Sequence, residues 1–316
     1  MSTPLDDADA PDHGVVDADA PDHAVVDAPD PFVTHRGLLF TVAYEMLGSA
    51  ADAEDVLQES WLRWAGVDRA EVRDARAYLV RIVTRQALNH LRTVSRRREE
   101  YVGEWLPEPL LTSPDVADDV ELADSVSIAM LTVLETLAPT ERAVFVLREV
   151  FDVPYDEIAV AVDKSPASVR QIAHRARDHV ARRPRVKVER SEHERVVARL
   201  ADAVNTGDVQ ALMDVLAPDV VSIADGGGQV RGAARRPIVG AKKLAAYLMG
   251  GMAKYGVSMR MSAMPVNGQP GLRVEVDGQM VGAVSLTVEE GRVTRIFTTA
   301  NPQKLARLDA EIPLTR

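Results

Sequence analysis

The sequence predicts a multi-domain protein with two all-α domains, the second a helix-turn-helix domain, followed by a C-terminal α+β domain. Three observations carry this prediction. Apolar residues recur at three- and four-residue steps up to about residue 181, and a Pro-rich stretch at 105–114 interrupts them. Alternating apolar runs separated by "VDG" and "EEG" replace the helical pattern near the C-terminus and indicate β-hairpins. A chain of 316 residues is long enough for two or three domains.

Residues 1–30 are predicted to form a disordered acidic tail. They contain nine Asp residues and no Lys or Arg, and the unit DADAPDHGVV is followed by DADAPDHAVV. The start of the chain lacks the basic residues and apolar core of a signal peptide, and no apolar run approaches the ~20 residues of a membrane span. We therefore expect a cytoplasmic protein without a membrane partner.

Cysteine is absent from the chain, and this absence narrows the possible chemistry. It excludes a disulfide framework, a thiolate zinc site and a cysteine nucleophile. The two Asp-His pairs of the acidic tail are better explained by disordered sequence than by metal binding. The sequence predicts no metal site and no cofactor.

Charge is strongly segregated along the chain, whose net charge is −11. Residues 73–98 hold eight basic residues and one acidic residue, and residues 164–190 hold nine basic and two acidic residues. Compact basic clusters between acidic stretches are typical of nucleic-acid binding. Two solvated helix faces would produce the same pattern, so the helical phase of each cluster decides between these interpretations.

The first helical domain is predicted over 31–100. Its segment 52–64 reads DAEDVLQESWLRW and places Asp52, Asp55 and Glu59 on one helix face at ~100° per residue. The opposite face carries Leu57, Trp61 and Trp64. Taken alone, this segment is explained equally well as an ordinary amphipathic core helix.

The next segment, 77–98, favours contact with unpaired DNA. Its apolar stripe consists of Val80, Val83, Ala87, Leu91 and Val94. A polar row lies opposite and contains Tyr78, Arg81, Arg85, Asn89, Arg92 and Arg96. Arginine neutralises phosphates, tyrosine stacks on an unpaired base, and asparagine reads a base edge. A solvated face would mix glutamate among the arginines, and this row has none.

The second helical domain is predicted over 126–185, after a linker at 101–125 that contains the motif WLPEP. Ser165 is a suitable N-cap and Pro166 suits the first helical position. The helix that follows buries Val169, Ile172 and Ala173 in its apolar stripe. Its candidate DNA contacts are Ser168, Arg170, Gln171, His174, Arg175 and Arg177. This arrangement is typical of a recognition helix that enters the major groove.

These motifs, in this order, resemble the extracytoplasmic-function (ECF) family of RNA polymerase sigma factors over roughly residues 31–183. DAEDVLQESWLRW is similar to the segment that docks on the clamp helices of the polymerase largest subunit, which implies polymerase contacts by Asp52, Asp55, Gln58 and Glu59. YLVRIVTRQALNHLRTVSRRR resembles the −10 reading segment, and LAPTERAVFVLREVFDVPYDEIAVAVDKSPASVRQIAHRAR resembles region four, which binds the −35 element. The implied partners are core RNA polymerase, through its clamp helices and flap, and promoter DNA.

The remainder, 190–316, resembles the SnoaL-like branch of the NTF2-like fold, a curved sheet around a conical pocket. Three motifs resemble the subgroup of sigma factors fused to this domain: WLPEP, DGGGQ and NPQKL. The implied interdomain regulatory residues are Trp105, Leu106, Pro107, Pro109, Asp225, Gly226, Gly227, Gly228, Asn301, Pro302, Lys304 and Leu305. An aromatic and apolar segment in a linker needs a partner surface, so we expect WLPEP to dock near the DGGG turn and the NPQKL segment.

Two functions from different classes are compatible with these features. One is a sigma factor whose activity is modulated by its fused domain, and the other is a helix-turn-helix regulator fused to a small-molecule-binding or enzymatic SnoaL-like domain. The polymerase-docking segment favours the first. No paired acid and base residues can be recognised after residue 190, so no catalytic residue and no enzymatic activity are predicted. The sequence leaves open whether an unidentified small ligand binds in the cone.

Overall fold

A computed structural model describes residues 29–99, 101–182, 188–255 and 259–316. The predicted acidic tail lies outside the described residues except for its last two positions. Asp30 is part of the fold, because its carboxylate accepts hydrogen bonds from Phe32 N at 2.8 Å and from Trp64 Nε1 at 2.9 Å. The folded part of the chain therefore includes Asp30.

Four helices form the first helical domain. They are α1 (Pro31–Thr34), α2 (Arg36–Leu47), α3 (Ala50–Ala65) and α4 (Ala75–Glu99). Helix α2 ends at Gly48, which has the left-handed φ of 67° that favours glycine, and Ser49 caps α3 by accepting from Asp52 N. Leu38 to Leu47 are all buried, so α2 is the central helix of this domain.

The predicted linker is partly helical. After an extended stretch that ends at Ser113, α5 (Pro114–Asp118) and α6 (Val120–Val126) lie within the segment predicted as linker. Pro114 occupies the first position of α5, and the Asp119 carboxylate accepts from Leu122 N at the start of α6. Pro and Asp at these positions are ordinary helix-start signals. The sequence alone favoured a linker here because the prolines of WLPEP lie close by.

The second helical domain contains the expected helix-turn-helix. It consists of α7 (Ile128–Leu134), α8 (Pro139–Phe145) with a π-helical extension (Val146–Val150), α9 (Tyr155–Val162) and α10 (Pro166–Ala181). Ser165 Oγ accepts from Ser168 N at 3.2 Å, which caps α10. Asp163, at a left-handed φ of 56°, ends α9 and turns the chain toward α10.

The C-terminal domain combines helices with one six-stranded sheet. Its elements are α11 (Arg190–Thr206), α12 (Val209–Val215), β1 (Leu216–Asp225), β2 (Ile238–Val239), α13 (Ala241–Tyr255), β3 (Met259–Val266), β4 (Gln269–Val276), β5 (Gln279–Glu289), β6 (Arg292–Thr299) and α14 (Pro302–Leu305). The strand order is β2-β1-β6-β5-β4-β3, with β1 and β6 parallel and the other neighbours antiparallel. The predicted fold class, two all-α domains followed by an α+β domain, is confirmed.

The three domains pack into one body. A single apolar core runs through both helical domains and includes Leu314 from the end of the chain. Helix α4 packs directly on α8 and α9 of the second domain. The chain end returns to α2, where Thr315 N donates to Thr41 Oγ1 at 3.1 Å. A separate core cluster joins Leu106 of the linker to Ile128 of α7 and Phe297 of β6.

Candidate nucleic-acid interface and interdomain contacts

Helix α10 presents a polar face to solvent above a buried apolar stripe. Val169, Ile172, Ala173, Ala176 and Val180 are all buried. The exposed face carries Arg170, Gln171, His174, Arg175 and Arg177, with Ser168 half-buried at its start. The helical phase predicted for this segment is therefore the one that the structure has.

Acidic neighbours divide this face into two parts. Arg175 and Arg177 lie 3.6 Å and 3.7 Å from the carboxylates of Glu141 and Glu149, and His174 lies 3.0 Å from Asp178. Arg170 instead lies over the ring of Tyr155 at 5.6 Å. Within the described residues, Arg170 and Gln171 have no carboxylate partner. The N-terminal turns of α10 are thus the part best suited to reaching base edges.

The polar row of α4 is only partly open. Asn89 and Arg92 are exposed and joined by a 3.2 Å hydrogen bond, whereas the Arg81 guanidinium lies 4.7 Å from the centre of the half-buried Tyr78 ring. The side chain of Arg96 lies outside the described ones. Arg85 points to the second helical domain.

Arg85 contacts the C-terminal end of α9. Its Nη2 donates to Val160 O at 2.8 Å, and its Nε lies 3.4 Å from Ala161 O. The last carbonyls of a helix carry partial negative charge and lack intrahelical partners, so they attract a guanidinium. A residue predicted to read the −10 element therefore contacts the second helical domain in this arrangement, beside the packing of α4 on α8 and α9.

The acidic row of α3 lies on an accessible face. Asp55, Gln58 and Glu59 are exposed, and Glu59 accepts from Gln86 Nε2 at 2.7 Å. Asp52 is half-buried and lies 3.1 Å from His90 Nε2. Trp64 is fully buried, whereas Trp61 is exposed and packs edge-on against Phe32, so only Trp61 of the tryptophan pair belongs to the surface.

Asp225 joins the linker to the C-terminal domain. Its fully buried carboxylate accepts from Tyr101 Oη at 2.5 Å, Leu106 N at 3.0 Å and Lys304 Nζ at 2.7 Å. Its backbone oxygen accepts from Ala300 N and Asn301 N. Burial and the Asp225 carboxylate raise the pKa of Tyr101, so its hydroxyl stays protonated as a donor. We call Tyr101, Leu106, Asp225, Asn301 and Lys304 the linker dock.

The other motif residues pack around the linker dock. Lys304 Nζ lies 4.0 Å from the centre of the Trp105 ring and also donates to Leu106 O. Pro107 and Pro109 are buried, Gly226 lies at the turn, Pro302 is exposed at the start of α14, and Leu305 is half-buried.

A Cβ on Gly227 would come within 2.6 Å of the Asn301 side chain. One on Gly228 would come within 2.9 Å of Val102. Both glycines have positive φ, so the turn requires glycine for conformation and for space.

Sequence reasoning missed Glu108, the acidic residue of WLPEP. Its buried carboxylate accepts from Ala50 N at 2.8 Å and Ala51 N at 3.3 Å, so it caps the start of α3 from a distant part of the chain. Burial raises the pKa of Glu108, and these backbone donors oppose that effect. The linker thereby supports the helix that carries the acidic row.

Asn267 is a second missed residue, and it connects the C-terminal domain to the first helical domain and to the linker. It is fully buried at the β3–β4 turn. Its Nδ2 donates to Tyr44 Oη in α2 and to Val126 O at the end of α6, each at 2.7 Å, and its Oδ1 accepts from Leu110 N at 2.8 Å. An Asn-Gly pair at a hairpin is the only sequence signal that pointed to this position.

His193 is the histidine of the C-terminal domain, and it is buried in α11. Desolvation lowers its pKa to about 4, so it is neutral at pH 7. Within the described residues, no group of three or more His, Cys, Asp or Glu side chains is arranged to hold a metal ion. No helix in that part of the chain is long and apolar enough to cross a membrane.

Comparisons with known proteins agree with this geometry. Residues 32–97 match the model for Sigma-70 region 2, and residues 127–180 match that for Sigma-70 region 4. The ECF RNA polymerase sigma factor SigJ of Mycobacterium tuberculosis is 37% identical over 86% of this chain and 91% of its own length. The probable ECF sigma factor SigI of that species is 32% identical over 88% and 94%. The crystal structure of SigJ superposes with a TM-score of 0.71 at 34% identity, covering 88% of this chain and 98% of that one.

Proposed function

The chain belongs to the ECF family of RNA polymerase sigma factors, and on that premise we propose how its surfaces divide the work of transcription initiation. In this proposal α3 binds the clamp helices of the largest polymerase subunit, α4 binds the melted −10 element, and α10 reads the −35 element while its domain contacts the flap. The observation that carries the proposal is the exposed pair Arg170 and Gln171 at the start of a capped helix-turn-helix helix. The site of action would be the cytoplasm, where polymerase works.

We expect Asp55→Lys to weaken core polymerase binding by about 10-fold or more. Asp55 is an exposed acidic residue of α3, so a polymerase surface complementary to it is basic. A lysine at this position would face charges of its own sign, which costs several kcal/mol. Binding of labelled protein to core polymerase, with run-off transcription as a second readout, measures the effect. Asp309→Lys makes the same charge change at an exposed position far along the chain. Equal behaviour of the two variants would remove α3 from the polymerase interface.

Arg170→Ala combined with Gln171→Ala should lose promoter discrimination. Each good base contact is worth about 1–3 kcal/mol, so cognate −35 DNA should lose affinity by ~10-fold or more while scrambled DNA changes little. Competition binding on promoters found by run-off transcription of genomic DNA with reconstituted holoenzyme measures this difference. Arg182→Ala, at the other end of α10, should weaken both DNAs alike. A uniform loss in the double variant would contradict base reading by this pair.

The Arg85 contact supports a closed resting state. Its hydrogen bonds to Val160 O and Ala161 O occupy a side chain that the −10 element would need. Promoter binding in this proposal exchanges these carbonyls for DNA, so the helical domains separate as holoenzyme forms. An exchange of one charge-assisted contact for another has a small net cost, so the cost of opening lies mainly in exposing the apolar surface that α4 shares with α8 and α9.

The C-terminal domain is proposed to act on the linker by direct contact and without catalysis. Its motif residues bind the linker through the buried carboxylate of Asp225 and the ammonium of Lys304. Its buried histidine is neutral and has no paired carboxylate in the described residues, which gives little basis for acid–base chemistry. By restraining the segment between the two DNA-reading domains, this domain would set their spacing.

A further inference from the structure

One long stretch of the C-terminal domain carries positive charge alone. Residues 226–274 contain eight Lys and Arg residues and no Asp or Glu, in a chain whose net charge is −11. Ordinary surfaces intersperse both signs. A stretch of 49 residues without a carboxylate is therefore a feature that the interdomain contacts described above do not explain.

Five of these residues flank β2 along the chain. Arg231, Arg235 and Arg236 lie in the β1–β2 loop, and Lys242 and Lys243 lie in the first turn of α13. All five are exposed. We call them the basic patch.

The loop and α13 are tied together. Tyr247 Oη donates to Gly232 O at 2.5 Å. Tyr247 follows Lys243 by four residues and so shares its helix face. This contact brings the loop backbone at Gly232, next to Arg231, against the face of α13 that carries Lys243.

The basic patch has no acidic counterpart in the part of the chain that the structure describes. Within the described residues, none of its five side chains lies within ion-pair distance of a carboxylate. Other arginines of the chain do have such partners, for example Arg273 with Glu275 at 2.8 Å in β4. Exposed cations without carboxylate partners repel one another and attract a polyanion. The binding of the polyanion reduces the repulsion among them.

The position of the basic patch relates it to the −10 reading helix. The β1–β2 loop starts at the DGGG turn, where Gly228 faces Val102 and Asp225 binds Tyr101. These two linker residues lie two and three positions after Glu99, the last residue of α4. The basic patch therefore begins beside the C-terminal end of the basic helix α4, on the side from which the linker leaves for the second helical domain.

We propose that the basic patch binds backbone phosphates of the promoter duplex between the −10 and −35 elements. This proposal rests on the proposed function and adds a third, sequence-independent DNA contact made by the fused domain. Arg and Lys on a loop and a helix start are the donors that position a protein on phosphates without reading bases. DNA is favoured over an acidic protein because the C-terminal end of α4, beside which the basic patch begins, is itself assigned to DNA.

The first test removes charge and measures salt dependence. Holoenzyme carrying Arg231→Gln, Arg235→Gln and Arg236→Gln together is titrated with a promoter fragment over a salt series. The slope of log K against log salt is negative, and each lost phosphate contact reduces its magnitude by ~0.9. We therefore expect the magnitude to fall by about 2–3 and the affinity at about 0.1 M salt to fall ~10-fold or more. The matched control is Arg195→Gln, Arg199→Gln and Arg260→Gln. These residues are exposed on α11 and on β3, the sheet edge opposite β2, and the control slope should stay near wild type.

The second test locates the DNA. Because the chain has no cysteine, Val239→Cys places a single thiol within the basic patch, and a tethered iron chelate at this thiol cleaves nearby DNA. We expect cleavage between the two promoter elements. Lys164→Cys, before α10, should cleave near the −35 element, and Arg260→Cys should not cleave.

The outcomes separate this proposal from the sigma-factor assignment. If wild-type holoenzyme initiates transcription but the triple variant keeps the wild-type slope, the proposal fails and the promoter function stands. The same conclusion follows if the Val239→Cys variant gives no cleavage while the Lys164→Cys variant does. If deleting residues 1–28 abolishes the difference between the triple variant and wild type, the basic patch binds the acidic tail of its own chain, and the proposal also fails.

Discussion

Asp225→Ala is expected to destabilise the docked linker by ~3–5 kcal/mol. The change leaves the ammonium of Lys304, whose side chain is only 12% exposed, without its carboxylate partner. Removing one member of a buried pair is far costlier than removing both. It also deprives Tyr101 Oη and the buried Leu106 N of their acceptor. Chemical denaturation and limited proteolysis of the linker at 101–104 measure the loss.

The charge-neutral pair provides the control for this prediction. Asp225→Asn with Lys304→Gln removes both charges and keeps similar shapes, so it should cost clearly less than Asp225→Ala alone. In transcription assays, Asp225→Ala should change promoter activity while binding to isolated −35 DNA stays near wild type. A free energy of unfolding within about 0.5 kcal/mol of wild type would show that the dock contributes no stability.

Asn267→Gly is expected to have a similarly large effect through a different set of contacts. Glycine keeps the left-handed φ of 53° at this turn. The variant therefore loses only the side chain that binds Tyr44, Leu110 and Val126. A buried group left without its partner costs ~1–3 kcal/mol, so the loss of three partners sums to ~3–9 kcal/mol. Thermal and denaturant unfolding of the full chain measure this loss.

The chain offers a matched control for Asn267 in the next hairpin. Asp277 and Gly278 form a turn with the same signs of φ, but the Asp277 side chain is exposed. Asp277→Gly should therefore change the free energy of unfolding by no more than ~0.5 kcal/mol. If both variants unfold alike, the bridging hydrogen bonds of Asn267 do not hold the domains together.

The helical phase of each segment could be read from the sequence. The apolar stripe of α10 and the buried side of α4 follow from a 3.6-residue period, which every helix obeys whatever surrounds it. The hairpin turns at Asp277 and Glu290 were likewise predicted from local signals, because a tight turn needs residues that tolerate positive φ. The match to sigma regions 2 and 4 confirms the sigma-factor assignment that these motifs supported.

Contacts between residues far apart in the chain could not be predicted from helical periodicity or turn signals. Glu108 caps a helix that begins 58 residues earlier, and Asn267 binds Tyr44 across 223 residues. Neither contact leaves a periodic trace, since a polar side chain in a linker or turn looks the same whether it faces water or another domain. Arg85 is a similar case on a helix. Its helical phase predicted an exposed position, which the structure has, but the phase could not show that α9 lies close enough for its backbone carbonyls to accept from the guanidinium.

The sequence by itself therefore determined the order of the domains, the faces of their helices and the family, because these depend on local periodicity and on motif order. The tertiary structure alone decided which polar groups meet between the domains. These contacts depend on burial, because a buried donor or carboxylate without a hydrogen-bond partner costs several kcal/mol. Buried polar groups are therefore paired, even when the partner is distant in the chain.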